Sequence, residues 1–287
     1  MPLLQFETCR KRIERAKAHS KTFAELWNEL SEEDPYSTFV NVDDDGAGRI
    51  WISPRYERGL PDVFSLELGE MLYQFRSALD SCVYAAAIVE SGQEPPPKEE
   101  NLEFPICDSP AKFKKATWKI APLTKKRRDI IESVQPYKTP PDLRPEFRVF
   151  NINRTLAILN DWARKDRHRQ LRVVGSWVSS ARPKVRLPAG VELVFMGVTG
   201  DGFLEHESEI ASFQLAGWVR GMTIEANPDV FIDVAVNDDP PPCADNDTLS
   251  ERIVAMTIWV NAIVEEIEKS LIDERQSGDS GSPSARA

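Results

Sequence analysis

Apolar residues in the first thirty positions, Leu4, Ile13, Ala16, Phe23, Leu26 and Leu30, recur at roughly helical intervals among many charges. This spacing predicts an amphipathic helix over 3–30, ended by Asp34-Pro35. In STFVNVDDDGAGRIWIS the period drops to two, and an Asp/Gly turn separates Thr38–Val42 from Arg49–Ser53, which predicts a hairpin. The most apolar helix is expected over 63–91, where Met71, Leu72, Phe75, Leu79, Cys82, Val83 and Ala86 form one wide stripe. Gly92 and the prolines after it stop that helix.

The middle of the chain is punctuated by proline. After the extended FPI of 104–106, two shorter helices are expected at 110–119 and 124–135, the first with Pro110 suited to its first turn. A proline-rich connection leads to another helix from Arg148 to about Arg167, with Ile152, Leu156, Leu159 and Ala163 as its core stripe. Beyond Gln170 come four β-rich runs with short Gly, Pro and Asp turns, a pattern of antiparallel pairing rather than βαβ units. Thr248 and Glu251 then form a capping box. They open a last helix to about Asp273, with Ile253, Met256, Val260, Ile263, Ile267 and Leu271 on one face.

The fold class expected is therefore α+β: a helical body with an N-terminal β-hairpin, a C-terminal antiparallel sheet and a final long helix. The domains expected are a helical domain over 1–170 that carries the hairpin at 37–53, a sheet over 171–240, and a helix over 248–273 packing back. A tail over 274–287 has little to bury and is expected to be disordered.

Composition changes this picture little. With 41% hydrophobic and 29% charged residues in 287, the chain has the profile of a soluble globular protein. It contains no apolar run of the ~18 to 20 residues that would span a bilayer, so no membrane association is expected. The opening stretch lacks the apolar core of a secretory signal, which makes a cytoplasmic location the expectation. Cys9, Cys82, Cys107 and Cys243 are scattered, never in CxxC, and read as reduced thiols without a zinc site.

Charge matters more. The net charge of −10 argues against a general nucleic-acid coat. Yet from Pro110 to Arg128 the ionisable residues are all basic: Lys112, Lys114, Lys115, Lys119, Lys125, Lys126, Arg127 and Arg128. With Phe113 and Trp118 among them, this stretch is the candidate RNA-binding surface, by charge and stacking. The alternative is a solvated helix face.

The densest ionisable cluster is DWARKDRHRQL at 161–171. On a helical wheel Asp161, Arg164 and His168 share one face, and Asp166 falls at the edge of the buried stripe. A carboxylate there needs a donor. In the apolar helix, Arg76 and Asp80 are spaced i,i+4 at the flank of the widest apolar surface. The structural expectation is that Arg76, Asp80, Asp166 and His168, with Arg169 beside them, meet as a buried network clamping the two helices.

Taken in order, LGEMLYQFRSALDSCVYA, EFPI, IIESVQPY and LAILNDWARKDRHRQL resemble a widespread group of bacterial and phage proteins. That group shares an LRSALD helix, an FPI segment, an IQPY segment and a DKHR-type helix end. The resemblance covers about residues 60–171, with Asp166, His168 and Arg169 matching the last motif and Arg167 standing where lysine is usual. It implies a shared fold and a phage or defence setting, and no activity.

RKDRH is also similar to the Arg-x(4–6)-His motif of HEPN ribonucleases. That likeness implies a metal-independent ribonuclease in which Arg164 stabilises the phosphate and His168 moves the proton. Three residues separate Arg164 from His168, one short of the pattern.

Other chemistries find less. Asn41, Asp43, Asp45 and Gly46 imitate the start of a calcium loop, but Ile52 stands where a bidentate glutamate is required. His206 alternates with Glu205, Glu207 and Glu209, so in a strand it points away from them. His19 sits on a charged helix and is expected in solvent. No GxGxxG, Walker A or GxSxG pattern occurs. No cofactor and no metal are expected. The first reading is a noncatalytic accessory or interaction protein with a protein partner, whose surface would be the acidic sheet near Trp177, Trp218 and Phe231. The second is the ribonuclease. The oligomeric state is left open.

Overall fold

The computed structural model describes all residues except 1, 34, 56–59, 145–146, 169–172, 199–201, 204–206, 228–229, 237–247 and 280–287. The protein is α+β, with antiparallel strand pairing and a long C-terminal helix. Its two compact units comprise residues 1–23, 66–171 and 251–287, and residues 24–65 and 172–250.

The first unit is helical. It draws on α1 (Glu7–Glu32), α2 (Asp62–Ser91), α3 (Pro110–Ala116), α4 (Lys125–Ser133), α5 (Ile152–His168) and α6 (Leu249–Asp279). The apolar stripe of α2 lies in the core as its periodicity requires: Met71, Leu72, Phe75, Leu79, Cys82, Val83 and Ala86 are all fully buried. Gly92, at φ +67°, closes α2 by donating its N–H to Ile88 O, a conformation glycine adopts without strain. Ser109 caps α3 by accepting the Lys112 N–H, with Pro110 at the first helical position. On α5, Trp162 is as buried as Leu156 and Leu159, and Arg252 of α6 lies over its ring at 5.4 Å. Helix α6 runs six residues past the expected stop at Asp273, to Asp279. Of the tail expected to be disordered, 280–287 lies outside the described residues.

The second unit holds the strands. A four-stranded sheet has the order β1-β2-β7-β5, from β1 (Tyr36–Val42), β2 (Ala47–Pro54), β5 (Glu192–Val198) and β7 (Ser208–Ala216). A three-stranded sheet joins β6 (Gly202–Phe203), β3 (Val173–Ala181) and β9 (Val230–Val236). Finally β4 (Lys184–Arg186) pairs with β8 (Glu225–Asn227).

The hairpin expected inside the helical domain thus belongs with the C-terminal strands, Gly48 opposite Phe213 and Ile50 opposite Ala211. Ile50 and Ile52 of β2 need a second layer to bury against, since a lone hairpin is marginal in water. They find it in a core with Val191, Ile210, Ala211, Phe213 and Leu215. Gly48 is required there, because a Cβ would stand 2.2 Å from the Phe213 ring. The turn that imitated a calcium loop is closed by its own chain. The Asp43 N–H donates to Ala47 O at 2.7 Å, and the Asp45 carboxylate accepts the Ala47 N–H.

Among the described residues no helix is long and apolar enough to cross a membrane. Nor is any group of three or more His, Cys, Asp or Glu arranged to hold a metal ion.

Candidate functional site

The RSALD, FPI and QPY stretches converge on one extended segment, 103–107. Arg76 and Asp80 project from α2 one turn apart and take both polar groups of a single residue. The Phe104 N–H donates to Asp80 Oδ1 at 2.9 Å, and Arg76 Nη2 donates to Phe104 O at 2.6 Å. Two residues on, Gln135 repeats the device. Its Nε2 donates to Pro105 O at 2.8 Å and to Ile131 O at 2.9 Å, while its Oε1 accepts the Cys107 N–H at 2.8 Å. Side chains thus stand in for the neighbouring strand this segment lacks, and buried Phe104 is pinned by its backbone. Asn153 of α5 completes the junction by donating to Ser133 O and Gln135 O.

The charges around this clamp form a chain. Arg76 lies 3.3 Å from Asp80 and 2.9 Å from Glu103, and Glu103 also holds Lys119. Burial pushes the Asp80 carboxyl above its ordinary value, and the pull of Arg76 and the Phe104 N–H offsets this only in part. Burial also acts to raise Glu103, but there Lys119 and Arg76 prevail and its carboxyl is lowered.

Structure sorts the expected quartet into separate places. Arg76 and Asp80 serve the FPI segment. The Asp166 carboxylate instead lies against Gly69, two turns earlier on α2, where a Cβ would stand 2.6 Å from Oδ2. His168 is exposed at the end of α5, and Arg169 lies outside the described residues. Spacing on two helices gave each side chain its face, but the register between the helices was not encoded in either pattern.

The ribonuclease pair sits in the open. Arg164 and His168 are both exposed, and Arg164 donates to Asp161 at 3.0 Å. Asp161 is also held by Lys165 at 2.8 Å. Burial acts to raise its carboxyl, but these two cations prevail and lower it.

Much of the basic stretch is neutralised from outside itself. Lys112 pairs with Asp108, Lys119 with Glu103, Lys125 with Asp129 and Lys126 with Glu274. Arg127 is not at the surface at all. It is 2% exposed, its Nε donating to Glu90 at 2.5 Å and its Nη2 to Glu274. Glu90 accepts the N–H and hydroxyl of Thr124 as well, so one carboxylate ties the end of α2 to the start of α4. Lys114, Lys115 and Trp118 are exposed, whereas Arg128 is half-buried.

One further expectation changed. His19 is not free in solvent, because its Nδ1 lies 2.7 Å from Glu67 Oε2 of α2. Trp218 is partly buried against the core of the second unit, and the side chains of Trp177 and Phe231 lie outside the described residues. Among the glutamates around His206, Glu209 lies 3.6 Å from Arg49, and His206 itself is outside the described residues.

Sequence reasoning missed Gln135, Glu90 and Glu274. Gln135 carried a signal, a polar residue set between Val134 and Pro136 just past the end of α4. The two glutamates carried none, since their partner Arg127 reads as one more cation in a basic run.

Comparison of the chain with models of known protein families, with curated proteins and with solved structures finds no match.

Proposed function

We propose that this chain is a noncatalytic interaction protein of the cytosol, and that the motifs of 60–171 serve its architecture. The observation that carries this reading is the double bond from Arg76 and Asp80 to the backbone of Phe104. The most distinctive charged pair in the chain spends its hydrogen bonds on holding a segment in place. Arg127 supports the same conclusion, being enclosed by two carboxylates where a polyanion has no access. The phage or defence setting implied by the motif resemblance belongs to this reading.

The ribonuclease reading requires Arg164 and His168 to act together on a bound phosphate. Their exposure, and the carboxylate of Asp161 on Arg164, favour a solvated helix end instead. Incubating the protein with bulk RNA decides between the two. The expected result is no cleavage by the wild type or by His168→Ala. Cleavage by the wild type that is lost in both His168→Ala and Arg164→Ala overturns the proposal.

A further inference from the structure

Two thiols meet inside the helical unit. Cys9 continues the buried stripe of α1 with Phe6, Ile13 and Ala16, and Cys82 stands in the stripe of α2 with Phe75, Leu79 and Ala86. Both are fully buried, and both are free thiols. The Cys82 side chain lies within hydrogen-bonding reach of Cys9. Around Cys82 the helix presents Ala78, Ala85 and Ala86, small residues that let a neighbouring helix come close. Helical spacing alone accounts for each cysteine in its own core stripe. It does not account for their facing one another from places far apart in the sequence.

A cavity of about 330 Å³ adjoins the pair. Thr8 and Ser81, the residues just before the two cysteines, both line it, so positions 9 and 82 stand at one level of the contact between α1 and α2. Leu4 lines it as well and is 77% exposed, so the cavity reaches solvent. The start of α1 is held beside it by one carboxylate, Glu268 of α6, which accepts the Leu3 N–H and pairs with Arg10. Burial pushes the Cys82 thiol well up, and the Cys9 thiol and the Glu268 carboxylate push it the same way. A protonated thiol is a poor nucleophile, so the pair is inert while the first turn of α1 stays closed.

We infer that Cys9 and Cys82 form a reversible redox latch: a low-molecular-weight disulfide such as oxidised glutathione, entering through the cavity as the start of α1 opens, converts the pair to a disulfide that fastens α1 to α2. The Cys9 thiol gives its proton to water and its sulfur attacks the oxidant. A mixed disulfide forms and one oxidant sulfur leaves as a thiolate. Cys82, deprotonated in turn, attacks the Cys9 sulfur and expels the second thiolate. Two electrons pass from the cysteines to the oxidant, and the two protons end on the two thiols released. The link closes a loop of about 70 residues, which restricts the unfolded chain strongly.

The test treats the full chain with oxidised glutathione, once as the folded protein and once while it refolds from denaturant. Alkylation, digestion and mass spectrometry then read the links. The folded protein is expected to yield a peptide joined through Cys9 and Cys82. Its melting temperature is expected to rise by about 5 to 10 °C and to fall back on reduction. Cys82→Ala is expected to lose both the link and the shift, and Cys9→Ala serves if the first variant loses its thermal transition. Cys107→Ser, on the 103–107 segment, is expected to keep both. A Cys9–Cys82 link absent from both treatments overturns the pairing. A link that forms only on refolding overturns the latch, because the folded chain then gives the oxidant no way in.

Discussion

Gly69 and Asp166 occupy one another's space: the carboxylate of Asp166 sits where any other residue at 69 would carry its Cβ, 2.6 Å from Oδ2 and 2.8 Å from Oδ1. Glycine in the middle of a helix costs roughly 1 kcal/mol relative to alanine, and here that cost admits a polar group to the flank of α2. Gly69→Ala is expected to destabilise the wild type by about 1 to 3 kcal/mol, because a short, half-buried aspartate has little room to retreat. In an Asp166→Ala background the same change is expected to stabilise, by about 1 kcal/mol, as helix propensity takes over. Chemical denaturation of the four proteins measures the reversal of sign. Equal effects in both backgrounds would contradict the contact.

Arg127 is expected to be the most sensitive cation in the chain. Arg127→Ala leaves Glu90 with 7% of its side chain exposed and its cation gone. Breaking a buried pair in this way costs about 3 to 5 kcal/mol. Replacing both partners by apolar residues, as in Arg127→Met with Glu90→Leu, is expected to recover much of the loss, tempered by the Thr124 bonds that Glu90 also accepts. Lys114→Ala, on the exposed part of the same basic stretch, is expected to stay within about 0.5 kcal/mol of wild type. Thermal unfolding ranks the variants, and a harmless Arg127→Ala would show that the pair is not buried in solution.

Two carboxylates should bend the acid limb of the stability curve in opposite directions. Asp161 is lowered below its ordinary 3.8, so its contribution is present above that value and is lost as pH falls through the depressed pKa. Asp161→Asn is expected to make the acid limb shallower. Asp80 is raised, so its contribution is complete below 3.8 and is lost as pH rises through the elevated pKa. That opposes acid unfolding, and Asp80→Asn is expected to make the limb steeper while keeping an acceptor for the Phe104 N–H. Denaturation midpoints between pH 3 and 7 read both slopes. Parallel changes in the two variants would contradict the assignment.

Local periodicity made the elements legible. The α2 stripe, the α6 face and the β1–β2 hairpin all follow from spacing within a dozen residues, because burial of a helix face or a strand face writes its own period into the chain. What spacing could not supply was partnership over distance. The pairing of β2 with β7 joins positions 48 and 213, and nothing in either strand names the other. The same limit explains the polar quartet. Arg76 and Asp166 both announce a need for partners, but which partner answers depends on how α2 and α5 slide past each other. Arg127 is the plainest case, since a buried arginine and a solvated one look alike until the carboxylates around it are placed.

Side-chain pinning of 103–107 also sets where this chain tolerates a change of length. Asp80 and Arg76 hold position 104, and Gln135 holds 105 and 107, so a residue inserted or deleted within these five positions puts the wrong amide and carbonyl before each anchor. A loop added within 94–97 falls between the Ser91 hydroxyl that holds the Gln93 N–H and the Lys98 carbonyl that holds the Asn101 N–H, and breaks neither. A tag or a reporter domain spliced there should therefore leave folding intact, whereas one inserted ten residues later should abolish it.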